Sequence, residues 1–120
     1  MRGLVLFAHG AADPQWARPF EAIRDRVHEA LPSRPLSLAY LEHMAPTLEE
    51  AIDRLCAQGA TAVAVVPLFM AQGGHLKRDV PRILDAIRQS RPGIAITLEN
   101  AMGDVPEILD VIAAWVASRA

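Results

Sequence analysis

Two of the four histidines in this 120-residue chain stand where chemistry is often placed, immediately after apolar runs and beside glycines. His9-Gly10 follows Leu4–Ala8, and Gly73-Gly74-His75 follows Thr61–Met70. Glu42 closes a third run, Leu36–Glu42. Singly, each histidine reads equally well as a surface loop residue. Together with Glu42 they make a donor set of two imidazoles and a carboxylate, suited to a borderline divalent ion such as Co, Ni, Fe or Zn. Neutral imidazole also accepts a proton near pH 7. The one cysteine, Cys56, excludes an internal disulfide and a thiolate zinc cluster, and is read as packing. His43 should point away from Glu42 if the strand runs through it, and His28 reads as a solvated helix residue.

These residues are far apart in sequence, so only a fold that gathers loop ends can bring them together. Four apolar runs, the fourth being Ile94–Leu98, alternate with four helical patterns. Trp16, Phe20, Ile23, Val27 and Leu31 recur by threes and fours, and Pro32 and Pro35 end that helix. Thr47 with Glu50 spells a capping box ahead of Leu48, Ala51, Ile52 and Leu55, and Gly59 stops the helix. The third helix is placed near Asp79 and the fourth from Asp104. The segments Asp79–Ile87 and Asp104–Ile112 nearly repeat, each reading as an Asp cap with proline in the first turn. Ile108, Leu109, Ile112 and Trp115 are expected to face inward.

The order β-α-β-α-β-α-β-α with right-handed crossovers predicts an α/β fold. It is a three-layer, four-stranded parallel sheet with flanking helices, a flavodoxin-like half, forming one domain over residues 1–120. Ligands of such sheets bind outside the carboxyl ends of the strands, where His9, Glu42 and His75 lie.

Composition narrows the function classes. Hydrophobic residues make up 52% and the net charge is -2, which excludes disorder and leaves no basic excess for nucleic acid or an anionic membrane. The longest apolar stretch, Ala62–Ala71, is too short to span a bilayer, and the cytoplasm is the expected compartment. The loop His9–Pro14 has neither GxGxxG nor a Walker lysine, so no nucleotide is expected. Strand three ends in Pro67-Leu68-Phe69-Met70 rather than the aspartate of a receiver domain. Ala8 stands where a histidine phosphatase carries arginine.

AHGAADP at 8–14, LE at 41–42, PLFMAQGGHLKRDVP at 67–81 and MGDVPEIL at 102–109 resemble the sirohydrochlorin chelatases of the CbiX and SirB type, over nearly the whole chain. The resemblance implies an ATP-independent lyase that inserts Co2+, Fe2+ or Ni2+ into a tetrapyrrole, for cobalamin or siroheme synthesis. It implies His9 and His75 as metal ligands and bases, with Glu42 assisting. Gly10, Gly73 and Gly74 would let the backbone approach the macrocycle, and Lys77 and Arg78 would hold its carboxylates. A chain this short implies a homodimer that recreates the two-lobed site of longer members. Ala11 and Ala12 replace the Ser-Arg common in the family after His-Gly. A tetrapyrrole or metal carrier without catalysis is the competing reading.

Overall fold

Leu4–Ala8 is apolar at consecutive positions, and in the computed structural model, which describes residues 1–120, this run becomes the buried centre of a sheet. Strands β1 (Arg2–Ala8), β2 (Leu36–Tyr40), β3 (Ala62–Pro67) and β4 (Ala95–Leu98) are all parallel, in the order β2-β1-β3-β4. Helices α1 (Arg18–Ala30), α2 (Leu48–Ala57), α3 (Gly74–Ser90) and α4 (Pro106–Ala117) follow the strands in turn. Short 3-10 turns over Pro14–Ala17 and Met102–Asp104 precede α1 and α4. The α/β fold expected from the alternation is the one observed.

Register places Leu6 between Leu38 and Val66, and Val5 between Ser37 and Val65. The two faces of the sheet therefore build separate cores. Val5, Phe7, Val63, Val65 and Ile96 pack against Leu48, Ile52 and Leu55 of α2 and Val80, Leu84 and Ile87 of α3. On the other face Leu6, Ala8, Leu38 and Tyr40 meet Phe20, Ile23 and Val27 of α1.

The predicted capping box forms in full. The Glu50 backbone N–H donates to Thr47 Oγ1 at 3.2 Å, and the Thr47 N–H donates to the Glu50 carboxylate at 2.9 Å. Other boundaries differ from expectation, and the differences matter for the site. β2 stops at Tyr40 and β3 at Pro67, so the residues after them are loops. Helix α3 begins at Gly74, five residues before Asp79. Extended Gly73 (φ -67°, ψ 165°) is its cap, and Pro81 is carried inside the helix, which forgoes one internal hydrogen bond there. Asp104 lies in the 3-10 turn, and Val105 takes the cap position of α4. The repeated Asp-Val-Pro segments thus do different work in the two copies.

Helix α4 departs furthest from expectation. Leu109, Ile112 and Trp115, read as inward, are exposed, and no residue of α4 is buried. Its packing within the chain is on the 3-10 turn that precedes it, and the molecule is elongated, 51 × 34 × 29 Å. No helix is long and apolar enough to cross a membrane.

Candidate active site at the carboxyl ends of the strands

The strand ladder does not end with the strands. The Leu41 N–H donates to the Ala8 carbonyl at 3.0 Å and the Glu42 N–H to the His9 carbonyl at 3.1 Å, so the chain after β2 stays paired with the chain after β1. The pairing brings the two side chains together. His9 Nε2 lies 2.9 Å from Glu42 Oε1, with both side chains about half exposed. A carboxylate oxygen can only accept, so Nε2 is the donor, and in the neutral imidazole Nδ1 keeps its lone pair. Gly10 makes the turn possible with φ +87°, its Cα backing onto the Glu42 carbonyl.

His43 does not point away, because β2 ends before it. A hydrogen bond from the Met44 N–H to the Glu42 carbonyl at 2.8 Å closes a γ-turn around His43, whose φ is +65°. That turn brings His43 Nε2 to 3.8 Å from Glu42 Oε1, beyond hydrogen-bond range but on the same side as His9. Left-handed backbone at a non-glycine residue is strained, and such strain gathers at functional sites.

His75 is placed differently from the expectation of a loop ligand facing His9. It sits in the first turn of α3, 82% exposed, with Nε2 2.8 Å from Asp79 Oδ2 one helical turn on. Both histidines therefore donate a hydrogen bond from Nε2 to a carboxylate, which in the neutral imidazole leaves Nδ1 with its lone pair. No group of three His, Cys, Asp or Glu side chains is arranged to hold a metal ion. Gly73 and Gly74 precede His75 with nothing crowding their Cα atoms except the Arg78 guanidinium, 3.6 Å from a Cβ built on Gly74. Lys77 and Arg78 are exposed on α3.

His9, Gly10, Glu42 and His43 line a cleft of about 600 Å³ whose remaining wall is apolar and includes Trp16, Phe20, Met44, Leu68 and Met70. The helical spacing assigned Trp16 to a buried stripe. It belongs instead to the 3-10 turn before α1, 64% exposed at the cleft. Its size and apolarity are the signal, and periodicity alone misdirects it. Tyr40 lines the same cleft, and burial pushes its phenol up from the ordinary 10.0, with Glu21 adding and Arg24 opposing. Gly103 shapes the rim: its N–H donates to the Phe69 carbonyl at 2.9 Å, and a Cβ there would meet the Met70 carbonyl. Nothing in the sequence pattern marked that contact.

Fold and site together define a parallel α/β domain with an imidazole–carboxylate pair at the mouth of an apolar cleft on its strand ends. The CbiX family model matches residues 3–119, and the chain belongs to that family. It is 36% identical over 121 residues to the sirohydrochlorin cobaltochelatase of Saccharolobus solfataricus, covering 93% of this chain and 91% of that protein. The Saccharolobus islandicus protein of the same name is 41% identical over 87 residues, covering 70% of this chain and 64% of that protein. Among solved structures, a CbiX protein from Marinobacter aquaeolei VT8 superposes with a TM-score of 0.88 at 30% identity, covering 99% and 97% of the two chains. The sirohydrochlorin chelatase SirB of Bacillus subtilis subspecies spizizenii, solved with cobalt, gives 0.76 at 25% identity. This chain spans half of SirB's length.

Proposed function

We propose that the chain is a sirohydrochlorin chelatase that inserts a divalent metal, Co2+ before Fe2+ or Ni2+, into a tetrapyrrole of cobalamin or siroheme synthesis, without a nucleotide. The observation that carries the reading is the His9–Glu42 pair at the mouth of an apolar cleft, in a chain that matches a sirohydrochlorin cobaltochelatase over 91% of that protein's length. Cobalt is favoured because the relative's name specifies it, SirB having been solved both with cobalt and with Fe3+.

The chemistry asks for a donor set that holds the ion loosely, since the metal is a substrate to be passed on, and for bases that take the inner N–H protons of the macrocycle. His9 and His75 serve as ligands and bases. Each is oriented through Nε2 by a carboxylate, which fixes the tautomer and leaves Nδ1 to bind the ion. Glu42 therefore assists His9, and Asp79 does the same for His75. The open backbone at Gly73-Gly74 gives His75 room to move toward the cleft, and closure over the macrocycle completes the donor set. Trp16, Phe20 and Met70 present flat or polarisable apolar surface to the ring. Lys77 and Arg78 offer exposed cations to its peripheral carboxylates, and Gly10, Gly73 and Gly74 keep the approach clear. We read residues 1–120 as one domain acting in the cytoplasm as a homodimer.

Metal-free protein, sirohydrochlorin and excess Co2+ are mixed and the absorbance change of insertion is followed against a protein-free control. The expected result is a catalysed rate that falls to the control in His9→Ala and in His75→Ala, with the circular dichroism of both variants unchanged. Tight macrocycle binding without acceleration for Co2+, Fe2+ or Ni2+ overturns the enzyme in favour of a carrier.

A further inference from the structure

Two imidazoles approach one carboxylate oxygen in the cleft, and only one of them is bonded to it. His9 Nε2 lies 2.9 Å from Glu42 Oε1, whereas His43 Nε2 stands off at 3.8 Å. His9 uses one lone pair of that oxygen and leaves the other. His9 and His75 each have a carboxylate at hydrogen-bond distance, but His43 has none, and Glu42 is its nearest acidic neighbour. The chain bends sharply to bring His43 there, at φ +65°, although glycine would make the same turn without strain.

The 3.8 Å gap matches an ion better than a direct contact. A divalent ion of zinc's size binds imidazole nitrogen at about 2.0–2.1 Å and carboxylate oxygen at about 2.0–2.2 Å. The two bonds sum to about 4.2 Å, so a bent N–metal–O unit spans the gap with little movement of either side chain. His9, Glu42 and His43 do not form a closed set of three donors. An ion held by His43 and Glu42 alone keeps water in its remaining positions and stays exchangeable, as an ion in transit must. Charge leads it to the same place. Glu42 is the one acidic side chain lining the cleft, no Lys or Arg lines it, and the apolar wall focuses that field on an arriving cation. Both side chains are about half exposed, so a hydrated ion reaches them directly.

We propose that His43 and Glu42 form a two-donor capture site for the incoming divalent ion, occupied before His9 and His75 take it up for insertion. The captured ion shares Glu42 Oε1 with the His9 N–H, so it waits beside the imidazole that receives it. The role in insertion rests on the chelatase reading, whereas the capture site itself is a property of the chain with Co2+ alone.

The first test therefore contains no macrocycle. Co2+ is titrated into the full chain, into His9→Ala/His75→Ala, and into that double variant with His43→Asn added, followed by visible absorption and equilibrium dialysis. Asn tolerates positive φ, so the turn is kept, and thermal melting checks it. The double variant is expected to retain one Co2+ site, and His43→Asn to weaken it at least about tenfold, the lower end of what even an outer-shell partner costs. No Co2+ binding by the double variant, or equal binding with and without His43, overturns the proposal. The second test follows insertion into sirohydrochlorin by His43→Asn alone. The Co2+ concentration for half-maximal rate should rise at least about tenfold, the rate should return at saturating Co2+, and the KM for the macrocycle should not move. A raised macrocycle KM would instead assign His43 to ring binding, and an unchanged Co2+ dependence would take it off the path of the ion. Either result overturns the capture role. A parent chain that binds Co2+ through His43 but inserts none would remove the chelatase reading and leave the site.

Discussion

A Cβ on Gly10 would stand 2.0 Å from the carbonyl oxygen of Glu42. The glycine after the first histidine is therefore needed by the protein itself, to let the loop after β1 lie against the loop after β2. This need is separate from the proposed clearance for the macrocycle. The φ of +87° at Gly10 adds a second reason, since L side chains rarely adopt it.

Gly10→Ala is accordingly expected to destabilise the fold by about 1–3 kcal/mol from the backbone conformation alone. Relief of the clash moves Glu42 away from His9, so the variant should also lose metal insertion at temperatures where it remains folded. Thermal melting and the insertion rate, measured on one preparation, check both halves. A Gly10→Ala protein with native melting and native rate would remove the Gly10–Glu42 packing from the account.

Asp79 has the same relation to His75 that Glu42 has to His9, at 2.8 Å and 2.9 Å. Removing a carboxylate that orients a metal-binding imidazole typically costs about 10–100-fold in metal affinity. Asp79→Asn should lower Co2+ affinity by that factor with little change in melting temperature, because the pair lies on a helix surface with His75 largely exposed and contributes little stability. Titration followed by cobalt absorption decides it. Unchanged affinity would assign the pair to helix surface chemistry alone.

Much of this was legible in the residues. Apolar runs of strand length separated by helical periodicity fixed the layers, and the rule that ligands sit at strand carboxyl ends led directly to His9 and Glu42. What the pattern lacked was the third dimension of the loops. Whether a strand ends at Tyr40 or Glu42 decides which way His43 points, and no local propensity marks that end. Asp-Val-Pro reads as a helix start wherever it occurs, yet at Asp79 the helix is already running from Gly74, and Leu76 in the added turn packs on the same core as Val80, Leu84 and Ile87, a tertiary contact that overrides the local signal. Apolar spacing says that α4 has an apolar face but not that its own chain buries that face. Trp115 read as core for that reason.

The capping box at α2 gives stability a pH dependence with a defined sign. The Thr47 backbone N–H, with its hydroxyl adding, holds the Glu50 carboxyl below its ordinary 4.5. A folded-state value depressed below the unfolded one means a contribution present above the unfolded value and lost as pH falls through the folded one. Glu50→Gln should therefore melt below the parent at neutral pH, and the gap should close on acidification through the carboxyl range. Thr47→Ala removes the hydroxyl that accepts from the Glu50 N–H and is expected to cost about 1 kcal/mol at neutral pH. Melting curves at several pH values test the convergence, and a gap that widens in acid would reverse the sign.

Two glycines, one at the cap of α3 and one in the 3-10 turn before α4, separate steric need from helix capping. A Cβ on Gly103 would overlap the Met70 carbonyl, whose backbone cannot retreat without disturbing the Gly103–Phe69 hydrogen bond, whereas a Cβ on Gly73 meets nothing within 4 Å. Gly73→Ala, at ordinary φ of -67°, should leave stability within about 0.5 kcal/mol of the parent. Gly103→Ala should cost about 1–3 kcal/mol as an overpacked contact. Because Met70 lines the cleft, the same change should also raise the apparent KM for the macrocycle. Denaturant melts and saturation kinetics on the two variants measure the contrast. Equal behaviour of Gly73→Ala and Gly103→Ala in both would mean that the turn at Gly103 yields freely and does not shape the cleft.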